Sequence, residues 1–130
     1  MPRESIIIFI CEHGAAKSII AAAYFNKIAR EMGLTERALA RGTFPEIELS
    51  QKALTGLVQD GLVPTEPTPQ KLSLQEIKTA RWMISFCELP EEYQRDNVIE
   101  RWEDVPPVSE NYERARDVIR AHLYHLVNKL

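Results

Sequence analysis

Cysteine and histidine are too scarce and too scattered in this chain to form a disulfide framework or a metal centre. Cys11 and Cys87 are its only cysteines and lie far apart, and two cysteines make no framework. Together with His13, His122 and His125 they show no ligand spacing such as C-x2-C, so no metal is expected. Long hydrophobic stretches are missing too. The apolar run that ends at Cys11 is too short for a membrane span, and it lacks the small-residue cleavage site of a signal peptide. Nor is there an excess of positive charge: Lys and Arg number 16 against 19 Asp and Glu, a formal net charge of −3. That argues against a nucleic-acid binder, which needs a basic face for the phosphates. These absences point to a reducing cytoplasm, where a free thiol is structural, metal-bound or catalytic. There is also no internal repeat, low-complexity tract or interdomain linker.

What is present fits one globular domain over 1–130. Hydrophobic residues make up 45% of the chain and charged residues 27%, an ordinary balance, and a domain of this size needs no covalent staple. Ser5–Ile10 is a continuous β-branched and aromatic run, which predicts a strand buried on both faces, as in a parallel sheet. Lys17–Met32 predicts a helix, with Ile20, Tyr24, Ile28 and Met32 at helical spacing and Gly33 as its stop. Arg37–Arg41 reads as a second strand before the turn Gly42-Thr43. Ser50–Asp60 reads as a helix with Ala53, Leu54, Leu57 and Val58 on one face. An extended loop spans Pro64–Pro69, and Ser73 caps a short helix over Leu74–Lys78. Ala80–Phe86 reads as the third strand, ending at Cys87, and Asn97–Trp102 as a weaker fourth. A long helix runs from Asn111 to Asn128, with Ala115, Val118, Ile119, His122, Leu123, Leu126 and Val127 on its apolar face. Alternating strands and helices predict an α/β fold with a parallel sheet covered by helices. Such sheets bind ligands beyond the carboxyl ends of their strands, which is where Cys11 falls.

The chemistry centres on Cys11-Glu12-His13-Gly14-Ala15-Ala16-Lys17-Ser18. A small-residue loop that closes onto a helix N-terminus turns backbone N–H groups inward and, with the helix dipole, makes a site for a tetrahedral anion. The same field favours the thiolate, the nucleophilic form of a cysteine. Lys17 adds a positive charge beside the anion, Ser18 can donate to the thiolate, and Gly14 can take a positive φ without steric cost. Two other readings compete. The segment could be a plain strand-to-helix turn around a buried cysteine. It could be a nucleotide-binding P-loop, but that motif needs glycine where Ala16 and Cys11 stand.

The loop resembles the signature loop of the low-molecular-weight protein tyrosine phosphatases and the related thioredoxin-linked arsenate reductases: Cys, five residues, Arg, then Ser or Thr. The resemblance extends along nearly the whole chain. Ala40-Arg41-Gly42-Thr43 is similar to the family's second strand and Gly-Thr turn. Leu49-Ser50, Met83-Ile84-Ser85-Phe86-Cys87, Trp102-Glu103-Asp104-Val105-Pro106-Pro107 and the last helix follow in the family's order. The fold implied is a three-layer α/β structure, a four-stranded parallel sheet flanked by helices on both faces. The activity implied is cofactor-free phosphate ester hydrolysis, phosphotyrosine included. Cys11 would attack phosphorus to form a phosphocysteine. The loop amides of Glu12, His13, Gly14, Ala15, Ala16 and Lys17, with the Lys17 side chain, would hold the phosphoryl oxygens. An acid near Asp104 would protonate the leaving oxygen. The partner implied is a phosphorylated small molecule or a phosphoprotein, not a nucleic acid or a membrane.

Two departures bear on rate. The family's arginine is Lys17 here, a point charge in place of a planar fork. Its acid position falls at Pro106, leaving Asp104 or Glu103 as substitutes. Slow or altered phosphatase chemistry therefore stands beside two alternatives: arsenate reduction or another thiol-redox reaction, and an oxyanion-binding module without turnover. Cys87 falls where the reductases carry a redox cysteine, but Glu91-Glu92-Tyr93-Gln94 offers no further cysteine for their relay. His13 reads as a loop-shaping residue and His122 as a boundary histidine. Trp102 and Phe44 are the candidate aromatics for framing a substrate.

Overall fold

A computed structural model describes residues 5–94 and 99–130. Its core strand is β1 (Ile6–Cys11). In a strand successive side chains point to opposite faces, so Ile7, Phe9 and Cys11 enter one hydrophobic cluster while Ile8 and Ile10 enter another. A strand that must feed two cores has no polar face to show, which explains the unbroken apolar run. Burying each such side chain contributes about 1.5–3 kcal/mol. Parallel pairing with β2 (Arg37–Gly42), β3 (Trp82–Ser85) and β4 (Ile99–Arg101) gives the sheet order β2-β1-β3-β4.

The larger core lies between the sheet and the helices α1 (Lys17–Met32) and α4 (Tyr112–Val127), with α2 (Gln51–Gln59) packed beside both. The smaller core holds Leu72, Ile77 of α3 (Leu74–Thr79) and Tyr93 of a single 3₁₀ turn on the opposite face. Helices thus cover both faces, as the sequence predicts. Ser73 caps α3 as expected, its side chain accepting from the Glu76 amide while the Glu76 carboxylate accepts from that of Ser73; Ser50, accepting from Ala53, and Asn111, accepting from Arg114, cap α2 and α4 as well.

Several boundaries differ from expectation. β1 starts and ends one residue later than predicted, so Cys11 is its last residue. β3 is shorter than Ala80–Phe86 because Ala80 is already the C-cap of α3. The Asn97 and Val98 of the predicted fourth strand lie outside the described residues. Met32 and Val58 are exposed: Met32 is the last residue of α1, and α2 buries only Ala53, Gly56 and Leu57. Gly56 is a packing requirement: a Cβ there would lie 2.3 Å from the Tyr112 ring.

That contact belongs to a polar cluster joining α1, α2 and α4. Asp60 accepts from Tyr24 Oη (2.5 Å), Tyr112 Oη (2.8 Å) and Arg116 Nη1 (3.2 Å). Despite an opposing effect of burial, these donors hold Asp60 below the usual carboxylate range. Burial, then the Asp60 hydrogen bond, pushes Tyr24 up to about 12, and Tyr112 rises for the same reasons. Asp60→Asn should therefore cost about 2 kcal/mol in denaturant unfolding at pH 7, through weakened hydrogen bonds to a charged acceptor. A depressed carboxylate stabilises the fold above its unfolded pKa of about 3.9, and that contribution fades as pH falls through the folded value. The gap between the native chain and the variant should accordingly close below about pH 4. A gap that persists unchanged into acid would sink this account.

Candidate active site

β1 delivers Cys11 to the carboxyl edge of the sheet at the centre of its strand order. The loop that follows has its carbonyls tied back. Cys11 O accepts from Thr43 N (3.3 Å), Glu12 O from Phe44 N (2.7 Å), His13 O from Glu46 N (3.0 Å) and Ala15 O from Ser50 N (2.9 Å). With the carbonyls turned toward segment 43–50, the amides of residues 12–17 find no acceptor among the described residues. A row of such N–H groups along a bent loop can serve as an anion-binding nest. Gly14 makes the bend, at φ 62°. Its backbone is pressed against Gly42: a Cβ on Gly14 would lie 2.9 Å from Gly42 N, and one on Gly42 would lie 2.7 Å from Gly14 N. Neither position has room for a side chain.

The helix that closes the loop breaks ordinary capping rules. Ala16, its N-cap, offers no side-chain bond; the first turn holds no acid; and the first residue is Lys17. A helix stabilised for its own sake would have the opposite, since an acidic group or a hydroxyl cap suits the positive end of the dipole. Lys17 forms no ion pair or hydrogen bond among the described residues. Ser18 is fully buried behind Cys11, its Oγ 3.0 Å from Cys11 Sγ.

Cys11, Lys17, Glu12, His13, Ala15 and Ala16 share one cleft of ≈ 910 Å³, completed by Glu46–Ser50 of the β2–α2 loop and by Phe86 and Cys87 beyond β3. His13 Nδ1 donates to the Phe44 carbonyl (3.3 Å) and stands 3.5 Å from a Glu46 carboxylate oxygen. It thereby pins the Cys11 loop to segment 43–50. Glu46, Ile47, Glu48 and Phe86 were not singled out by motif spacing. One signal for the first three was available: in a parallel sheet the loop after β2 must emerge beside the loop after β1. Among the described residues no group of three or more His, Cys, Asp and Glu side chains gathers to hold a metal ion. None of their helices is long and apolar enough to cross a membrane.

No family model and no curated protein matches the sequence. Solved structures do match in three dimensions. An arsenate reductase from Archaeoglobus fulgidus superposes with a TM-score of 0.77 at 22% identity, covering 94% of this chain and 98% of that one. A low-molecular-weight protein tyrosine phosphatase from T. tengcongensis gives 0.80 at 19% identity, covering 97% and 99%. The arginine phosphatase YwlE, in a cysteine-to-serine mutant with a phosphorylated active-site serine, gives 0.79 at 17% identity, covering 96% and 95%. The chain has the fold of the low-molecular-weight tyrosine phosphatases and arsenate reductases.

Within this phosphatase-type fold the remaining predicted site residues fall in different places. Asp104 does not line the cleft. Its Oδ1 lies 2.7 Å from His122 Nε2 on α4, and that hydrogen bond holds the carboxyl below its usual range. His122 in turn stacks on Trp102, with centroids 4.6 Å apart. Trp102 is buried against Phe9 and Phe86, so it packs the core beneath segment 103–107 and frames no substrate. Phe44 is exposed on the far side of the Cys11 loop. Cys87 stands on the wall of the Cys11 cleft. Burial pushes its thiol up, the nearby Cys11 and Glu12 add to that, and the hydrogen bond with Ser85 opposes it.

Proposed function

We propose that the chain is a cysteine-dependent phosphatase acting on phosphate monoesters, phosphotyrosine among them. One observation carries the proposal: the carbonyls of Cys11, Glu12, His13 and Ala15 accept from amides of segment 43–50, while the amides of residues 12–17 have no acceptor among the described residues and Lys17 lines the cleft with the thiol. In this reading the Cys11 thiolate attacks phosphorus in line with the ester oxygen. The S–P bond forms as the P–O bond breaks, and the equatorial oxygens stay on the amides and on Lys17. Ser18, within hydrogen-bond distance of the sulfur, stabilises the thiolate when it leaves again as water hydrolyses the phosphocysteine. Asp104, the acid assigned by position, would reach a leaving group only after release from His122.

The test pairs turnover with protection. The native chain should hydrolyse p-nitrophenyl phosphate, Cys11→Ser should not, and inorganic phosphate should slow iodoacetamide alkylation of Cys11. Alkylation indifferent to phosphate, with no turnover, would refute both the site and the reaction.

A second reading has its own observation. Cys87 lines the same cleft as Cys11, the placement a thiol-redox reaction such as arsenate reduction would need. An arsenate-dependent Cys11–Cys87 disulfide, detected by mass spectrometry, would favour that reading over hydrolysis.

A further inference from the structure

The cleft has a floor suited to an anion and a mouth of the opposite character. Glu12, Glu46 and Glu48 line it, and Lys17 is the only Lys or Arg among the described residues that do. The three carboxylates are left largely uncompensated. His13 is the one partner of Glu12 (3.9 Å) and of Glu46 (3.5 Å), and Glu48 has no ion pair among the described residues. Between Glu46 and Glu48 stands Ile47, 88% exposed, an apolar side chain that packing in this chain does not explain.

This charge pattern selects among phosphorylated molecules. A small ester with further negative groups brings like charge to the rim. A phosphoryl group on a chain rich in lysine or arginine sends its anion to the floor and its cations to the carboxylates. The segment bearing Glu46 and Glu48 is also fixed: the amides of Phe44, Glu46 and Ser50 hold the Cys11 loop, so the rim charges keep a set distance from the nucleophile.

Resting on the phosphatase reading, we propose that the physiological substrate is a phosphoprotein segment with basic residues beside the phosphorylated one. Glu46 and Glu48 receive the basic side chains, and Ile47 packs on an apolar neighbour. Exposed ion pairs are individually weak, but two or three acting together on a desolvating segment should favour it about 10-fold.

The experiment uses two phosphotyrosine peptides of equal length, one flanked by arginines and one by glutamates, so that the leaving group is the same. At low ionic strength kcat/KM should favour the basic peptide by about 10-fold, and the preference should shrink at 0.3 M salt as the charges are screened. Glu46→Gln with Glu48→Gln should reduce the preference, and Glu46→Lys with Glu48→Lys should invert it. Equal turnover of both peptides by the native chain overturns this inference while leaving the phosphatase reading intact. If no phosphate ester turns over, the phosphatase reading fails. The inference, which names a substrate of that reaction, is then overturned with it.

Discussion

Aryl phosphates with weakly basic leaving groups should turn over at least about 10²–10⁴-fold faster than alkyl phosphates, the span a positioned general acid normally supplies. Breaking the P–O bond places charge on the leaving oxygen, and a proton donor matters most when that oxygen is strongly basic. The segment that the resemblance assigns to the acid, 102–107, is engaged elsewhere. Trp102, Val105 and Val108 anchor it in the core, and Asp104 faces α4, ionised and bonded to His122. p-Nitrophenolate leaves without help; an alkoxide does not. A series of phosphate esters graded by leaving-group basicity, followed by phosphate release, measures the dependence directly. A flat series would show that a donor does reach the leaving oxygen, and Glu46, Glu48 and His13 at the cleft would become the groups to substitute.

The second large effect should come from Lys17→Arg. An ammonium can satisfy the phosphoryl oxygens only as a point charge, whereas a guanidinium fork holds two of them in a plane. One charge-assisted hydrogen bond gained in the transition state is worth about 1.5–3 kcal/mol, or about 10- to 150-fold in kcat. The position can accept the change. Lys17 opens α1 at the cleft with no partner to lose among the described residues. Steady-state kinetics on p-nitrophenyl phosphate would read the gain in kcat. A fall in KM alone would place the new group on bound substrate and not on the transferring phosphoryl.

How much of this was legible beforehand follows from the range of each interaction. β1 was visible because one strand feeding two cores must be apolar throughout, and α1 because its spacing is local. Cys11, Lys17 and Ser18 lie within eight consecutive residues at the two ends of one loop, so their convergence needs only that loop and the helix behind it. The contact of Gly14 with Gly42 joins positions whose distance in the chain hides it. The same holds for Asp104 and His122, and for the stack of His122 on Trp102. Trp102 looked like a candidate to frame a substrate because a tryptophan beside an acid loop reads the same whether it points in or out. Only the packing of Phe9 and Phe86 decides that. Glu46 and Glu48 carry no motif at all, and their importance comes from the strand beside β1 that their loop follows.

The stitching of segment 43–50 to the Cys11 loop constrains how this protein can change over generations. Four amides spaced along that segment, from Thr43 to Ser50, meet four carbonyls of the loop in order. Inserting or deleting a residue there would shift the pairing and let the nest collapse. The side chains at positions 46, 47 and 48 are therefore free to drift, while the length of the segment is not.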